Sequence, residues 1–164
     1  MDIEKIIDSI GDKLFNYLTI KLGSPLDAED VLQEVFCRLV RYKMRLRFIR
    51  NPSAYVFRIA RNEAISYLKS RGRNPERNCP AEDLARVIQD NLIGLENAAL
   101  ARVAEALALI PEEQREVVVL KFFEDLTFKE IAAACDSSVS TVASRFRYGM
   151  EKLRKLLEGG DERR

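Results

Sequence analysis

The sequence predicts an all-α chain of two small helical domains joined by a linker, the second domain carrying a helix-turn-helix. Three observations predict it. Apolar residues recur every three or four positions through most of the 164 residues. A polar stretch at residues 70–80, with one Gly and two Pro, interrupts that periodicity and reads as a domain boundary. Residues 126–148 then read as a short helix, a tight turn and a second helix with a polar outer face.

Each element follows from its own residues. Ile3, Ile6, Ile7, Ile10, Leu14, Phe15 and Leu18 make residues 3–22 an amphipathic helix, slackened at Gly11. Gly23-Ser24-Pro25 breaks it; Ser24 can cap the next helix and Pro25 can take its first position. Over residues 25–42, Val31, Leu32, Val35, Phe36, Leu39 and Val40 form an apolar face. Asp30, Glu34, Cys37 and Arg41 lie on another, with Gln33 and Arg38 nearby. Acidic residues in the N-terminal half also suit the helix dipole, which explains Asp27, Glu29 and Asp30 without any partner. Residues 42–52 have no clean period and no strand partner elsewhere, so a loop with a helical turn is expected. Residues 53–71 return to helix with Phe57, Ala60, Ala64 and Leu68 inward. Arg58, Arg61, Asn62, Ser66 and Lys69 line another side, interleaved with Tyr55 and Tyr67. Cations beside stacking rings suit single-stranded nucleic acid. The same tyrosines could instead plug the edge of the core, leaving the arginines solvated.

Leu84, Val87, Ile88, Leu92 and Ile93 suggest a short helix inside the linker. An Ala-rich helix follows at 96–109, with Leu100, Val103, Leu107 and Ile110 in register. Pro111 then opens a helix whose first turn holds Glu112 and Glu113 and which ends near Glu124-Asp125. In the helix-turn-helix, Thr127 and Glu130 fit a capping box. Ile131 and Ala134 face inward, and Asp136-Ser137-Ser138 supplies turn and N-cap chemistry. Val139, Val142, Phe146 and Leu153 give the last helix an apolar side. Ser140, Thr141, Ser144, Arg147 and Tyr148 fall opposite, with Arg145 on the flank. A helix presented in this way enters a DNA major groove. The expected boundaries are a domain at 1–71, a linker at 72–95, a second domain at 96–158 and a disordered tail at 159–164.

Composition excludes several classes. No apolar run nears the roughly 18 residues that cross a bilayer, and the N-terminus lacks a signal-peptide layout, so membrane insertion is not expected and a cytoplasmic location is. There are three cysteines, Cys37, Cys79 and Cys135, far apart, and no histidine. That set does not make a structural zinc site and reads as free thiols. No cofactor, no metal and no catalytic residues are expected: Walker sequences are absent, and the basic stretch 38–77 holds only Glu63 and Glu76 as acids.

Net charge is only +1, but the charges come in blocks. Residues 1–37 hold three Lys/Arg and eight Asp/Glu; residues 38–77 hold twelve and two; residues 78–136 hold five and twelve; residues 137–164 hold seven and four. Two basic blocks separated by an acidic one suggest two nucleic-acid contacts on a protein with a separate non-DNA surface.

Two segments together resemble one family. Residues 27–36, Asp-Ala-Glu-Asp-Val-Leu-Gln-Glu-Val-Phe, followed by residues 54–68, look like region 2 of bacterial sigma factors. Residues 109–118 and the helix-turn-helix resemble region 4 of the same proteins. The short chain with a bare linker is similar to the extracytoplasmic-function (ECF) subfamily. The resemblance implies a non-enzymatic subunit that binds core RNA polymerase, recognises the −35 and −10 promoter elements and assists DNA melting. It implies that Asp30, Gln33 and Glu34 dock on the polymerase clamp. It places Arg45, Arg47, Tyr55, Arg58, Arg61, Asn62 and Lys69 at the −10 element. It places Ser140, Thr141, Ser144, Arg145, Arg147 and Tyr148 at the −35 element. An anti-sigma factor is an expected partner besides core polymerase and promoter DNA. The family linker passes near the polymerase active-site channel, where Glu82, Asp83 and Asp90 would mimic nucleic acid. The chain departs from the pattern at five positions. Tyr55 stands where many relatives have Trp, Asp136 at the usual turn glycine, Ser138 where Pro is common, Ser140 where Gly is common and Ala143 in place of Lys. A stand-alone helix-turn-helix regulator binding DNA as a dimer is the competing reading; the paired region 2 residues argue against it.

Overall fold

A computed structural model describes residues 3–74, 79–92 and 98–159. Among the described residues all regular structure is helical: α1 (Ile3–Leu22), α2 (Pro25–Arg41), α3 (Lys43–Leu46), α4 (Pro52–Ser70), α5 (Ala81–Leu92), α6 (Ala98–Leu109), α7 (Glu112–Phe122), α8 (Phe128–Ala134) and α9 (Val139–Gly159). The expectations for residues 75–78, 93–97 and 160–164 lie outside the described residues.

Helices α1, α2 and α4 pack on one another. Leu14, Leu18, Val35, Val56, Ala60, Ala64 and Leu68 are fully buried there, and Tyr17 meets Phe57 edge-on at 5.6 Å. The break before α2 is built as its residues suggest: Gly23 takes φ 69°, Ser24 Oγ accepts from the Asp27 amide, and Pro25 sits in the first turn. Asn51 caps α4 in the same way, accepting from the Ala54 amide at 3.1 Å. Two local expectations fail. The helix does not slacken at Gly11; α1 runs unbroken, and a Cβ there would lie an ordinary 3.9 Å from the Phe36 ring. Val40 is 54% exposed, because it sits in the last turn at the edge of the arc centred on Val31, Val35 and Leu39.

The linker is more ordered than a bare connection. Helix α5 pairs with α6 and also touches α1, seating Leu84, Ala85 and Ile88 beside Ile20 and Leu107. The C-terminus of α6 is closed by a side chain from the next helix: Arg115 Nη1 donates to the carbonyls of Leu107, Ala108 and Ile110. This satisfies acceptors that the helix end leaves without partners. Burial depresses the Arg115 pKa, and the nearby Glu112 carboxylate only partly opposes it. Pro111 precedes α7 in an extended conformation as its N-cap rather than taking the first helical position.

Helix α7 is surrounded, with Arg115 through Leu120 all buried. It ends at Phe122, a little before the predicted Glu124-Asp125. The turn into α8 passes through Asp125 at φ 57°. The capping box then forms in full: Glu130 N donates to Thr127 Oγ1 at 3.2 Å, and Thr127 N donates to Glu130 Oε2 at 2.7 Å. The turn of the helix-turn-helix places Asp136 at φ 52°, the left-handed conformation for which glycine is usual. Ser138 Oγ accepts from the Thr141 amide at 3.1 Å and opens α9. Val142 and Leu153 are buried as predicted; Val139 is 48% exposed, since the first turn of α9 projects past its neighbours. At Gly149 a Cβ would come within 3.2 Å of Val118 Cγ2 and 3.3 Å of Gln114 Cβ, so α9 crosses α7 closely there.

Two apolar clusters hold the molecule together, and neither stops at the linker. One joins Leu14, Phe57 and Leu68 to Leu120, Ile131, Ala134 and Val142. The other joins Ile20 of α1 to α5, α6, α7 and α9. The small side chains Ala132 and Ala134 let α8 settle directly against α4.

Candidate nucleic-acid interface

The basic stretch begins after α2. Arg45 lies in the single turn of α3 and stacks over Tyr42 at 5.4 Å; Arg47 follows it. Both are exposed, and Phe48 beside them is 88% exposed. The turn is held by Leu46, which is 3% exposed. The loop is therefore anchored by Leu46, with Ile49 packed against the same cluster, and presents cations and an aromatic ring to solvent.

Helix α4 does not present one open basic face. Asn62 and Lys69 are exposed. Tyr55 is half-buried against the apolar cluster. Arg58 reaches toward Asp136 in the helix-turn-helix turn, at 3.8 Å. Arg61 is turned inward, its Nε 3.0 Å from Glu116 Oε1 on α7. Tyr67 donates to Asp27 at 2.8 Å and carries Arg71 over its ring at 4.6 Å. Of the two readings of these tyrosines, the core-edge plug describes Tyr67.

On α2, Asp30, Gln33 and Glu34 share the exposed side. Glu34 has Arg38 at 3.8 Å, and Arg38 makes its shorter contact, 2.7 Å, with Glu63 of α4. The acidic-polar triplet is thus carried on a helix whose opposite face is locked in the core.

On α9, Ser140, Arg147 and Tyr148 are exposed, with Arg147 over the Tyr148 ring at 5.0 Å. Thr141, Ser144 and Arg145 are half-buried. The Thr141 hydroxyl is drawn into the N-cap beside Ser138 at 2.8 Å. Arg145 bridges back to Glu113 of α7 at 3.3 Å and to Ser137 at 3.5 Å. Arg147, Tyr148 and Ser140 are therefore the side chains best placed to enter a groove.

A buried polar cluster between the two halves was not singled out in the sequence. Glu116 Oε1 accepts from Tyr17 at 2.6 Å, Lys21 at 3.0 Å and Arg61 at 3.0 Å. Lys21 also pairs closely with Glu112. Burial alone would raise the Glu116 pKa, but Lys21 and Arg61 outweigh it and hold the carboxyl below its usual range. Burial likewise opposes the Lys21 charge, and Glu116 with Glu112 outweighs that and raises its pKa. Cys135 lies close by, its thiol pushed up to about 12, first by burial and then by Glu116. The available signal was a charged residue inside an apolar run: Lys21 in Thr19-Ile20-Lys21-Leu22, and Glu116 directly before Val117-Val118-Val119-Leu120.

Residues 6–74 match the family Sigma-70 region 2, and residues 100–153 match Sigma-70, region 4. Over 165 residues the chain is 28% identical to the ECF RNA polymerase sigma factor SigW of Bacillus subtilis, covering 93% of this chain and 87% of that protein. It is 32% identical over 145 residues to the RNA polymerase sigma-H factor of Pseudomonas aeruginosa, covering 80% and 74%. In fold it resembles the sigma factor RpoE solved with the anti-sigma factor NepR from Bartonella quintana, with a TM-score of 0.73 at 21% identity, covering 96% of this chain and 97% of that one. The chain belongs to the sigma-70 family, as an ECF RNA polymerase sigma factor with region 2 and region 4 domains. Such a protein is not an enzyme; it binds core RNA polymerase and DNA in transcription initiation. None of the described helices is long and apolar enough to cross a membrane.

Proposed function

We propose that this sigma factor docks on core polymerase through Asp30, Gln33 and Glu34 of α2. It contacts the −10 element through Arg45 and Arg47 of the α3 loop and through Tyr55, Arg58, Asn62 and Lys69 of α4, and through Arg61 only where that side chain leaves Glu116. It reads the −35 element with α9, where Arg147, Tyr148 and Ser140 lead and Thr141, Ser144 and Arg145 support them. The observation that carries this reading is the pairing on one chain of an exposed acidic-polar helix face with a separate exposed recognition helix. A regulator acting through α9 alone would have no use for the first.

The chemistry at each surface differs. On α2 a rigid helix offers carboxylates to basic groups, so charge-assisted hydrogen bonds set the orientation of the partner. At the −10 element cations hold phosphates, and exposed rings receive an unstacked base. Unstacking costs a few kcal/mol, offset by stacking and hydrogen bonds in the protein. No nucleotide hydrolysis enters this scheme. The site of action is the cytoplasm, where polymerase works, and an anti-sigma factor is the expected regulator, as the solved neighbour bound to one supports.

Run-off transcription with purified core polymerase and a promoter library tests the whole reading, which fails if no promoter yields a transcript. The double charge reversal D30K/E34K should abolish stable core association; unchanged association removes the clamp assignment. R147A should weaken binding to −35 duplex roughly tenfold and leave core binding intact.

A further inference from the structure

A half-open cavity of about 410 Å³ lies beside the buried polar cluster, between the end of α1, the start of α5 and the corner that joins α6 to α7. Ile20, Leu84, Ala108, Ile110 and Val119 give it apolar walls. Lys21, Glu112, Arg115 and Glu116 bring charge to it. An apolar hollow with a few convergent polar groups is the usual anatomy of a small-molecule site.

These charged groups are not equally satisfied. Lys21 pairs with both Glu112 and Glu116, and Glu116 also takes Arg61. Arg115 is 9% exposed and has no carboxylate within ion-pair reach among the described residues. Its Nη1 is engaged by three carbonyls at the end of α6. Its Nε and Nη2 have no acceptor among the described residues, yet neither is sealed from solvent. The charges tell the same story: Lys21, Arg61 and Arg115 are cations, against the carboxylates of Glu112 and Glu116, so one positive charge is left over. Cys79 on the cavity wall does not neutralise it, because burial and then Asp83 push its thiol up and keep it protonated. Asp83 itself is exposed in the first turn of α5.

We propose that this cavity binds a small monocarboxylate with an apolar body, its two oxygens taken by Arg115 Nε and Nη2. The planar guanidinium presents those N–H groups side by side, which matches a carboxylate in shape as well as in charge. A single negative charge completes the cluster, whereas a dianion such as phosphate meets Glu112 and Glu116. A cation is refused by Arg115 and Lys21. The apolar walls favour a ring or a short chain behind the carboxylate, since burying it there removes apolar surface from water. None of the residues proposed to touch polymerase or promoter lines the cavity, so the site stands or falls apart from those assignments.

The probes are benzoate and octanoate, with benzamide as the uncharged match to benzoate. Titration calorimetry on the full chain should give saturable binding of an acid, and benzamide should bind roughly tenfold more weakly or worse, for want of a charge-assisted pair. The bound acid should also shield Cys79, which lines the cavity, from a maleimide, while Cys37 on α2 reacts as before. With the acid at ten times its dissociation constant, Cys79 modification should slow about tenfold. R115K keeps the charge but loses the fork, and should weaken the acids roughly tenfold. A81W, at the exposed start of α5, fills the cavity and should abolish binding with the helical circular dichroism retained. If either variant fails to fold, the other decides, and the shielding of Cys79 in the wild-type chain needs neither. The site is overturned if neither acid binds at millimolar concentration, if benzamide binds as tightly as benzoate, if Cys79 is not shielded, or if folded A81W binds like the wild type.

Discussion

Glu124 brings a carboxylate into the protein with no donor to meet it. The residue is 3% exposed, and neither of its carboxylate oxygens has a hydrogen-bond partner. Lys13 approaches, but its ammonium reaches the Glu124 carbonyl at 3.4 Å and Asp125 at 3.9 Å. Burial lifts the carboxyl to about 7, with Lys13 lowering it and Asp125 raising it. The folded state then holds a proton that the unfolded chain, titrating near its ordinary value, releases earlier. Stability is full below the unfolded pKa and falls as pH rises toward 7. E124Q should abolish this slope and gain on the wild type, between pH 5 and pH 8, by up to about 3 kcal/mol. Urea midpoints of both proteins at the two pH values measure it; an equal gap at both would contradict it. Such residues mark the limit of sequence reading. Helical spacing located Phe57, Ala60, Ala64 and Leu68, each at most 1% exposed. It marked Glu116 and Lys21 only as charges in or beside apolar runs and could not pair them, because such a residue looks the same whether paired or solvated.

At the scale of elements, the strongest signals were local and complete within a few residues. The Thr127–Glu130 capping box and the Ser24 cap needed no tertiary partner to form and are present as written. T127A should lower stability by about 1 kcal/mol, read from the urea midpoint. D136G should do the reverse, by about 1 kcal/mol, since φ 52° is strained for Asp and free for Gly; an unchanged midpoint would show that the turn tolerates Asp at no cost. Weaker signals gave weaker elements. The single turn of α3 was legible only as an irregular stretch, because its four residues depend on Leu46 reaching the core. Helix α5 was half legible, as its apolar face is covered partly by α6, the next helix, and partly by α1, which is remote in sequence.

At the scale of the whole chain, the two paired motifs gave the family, while the contact between the halves stayed invisible. Periodicity reports that a face is covered and says nothing about what covers it. Ile131, Ala134 and Val142 were expected to pack within the helix-turn-helix, and they also share a cluster with α1 and α4. Cys135 lies in that cluster, 5% exposed, whereas Cys37 is exposed. A thiol reagent should therefore modify Cys37 within seconds and Cys135 only after the halves separate. Mass spectrometry of the modified peptides, with and without core polymerase, follows both rates. Equal rates for the two thiols in the free chain would mean that the shared cluster is not closed in solution.

Helix α5 also lies in the chain between the two proposed readers, and its winding bears on the length of that connection. Its twelve residues span about 18 Å wound and about 40 Å drawn out. The difference, roughly 20 Å, corresponds to about six base pairs at about 3.4 Å each. On the proposed placement of the two readers, a wound α5 would act as a ruler that favours a narrow choice of promoter spacer, and an unwound one would tolerate a wider range. R86P, on the exposed side of α5, breaks the helix, and run-off transcription on promoters of graded spacer length should then show a broader optimum. An optimum of unchanged width would place the ruler elsewhere in the polymerase.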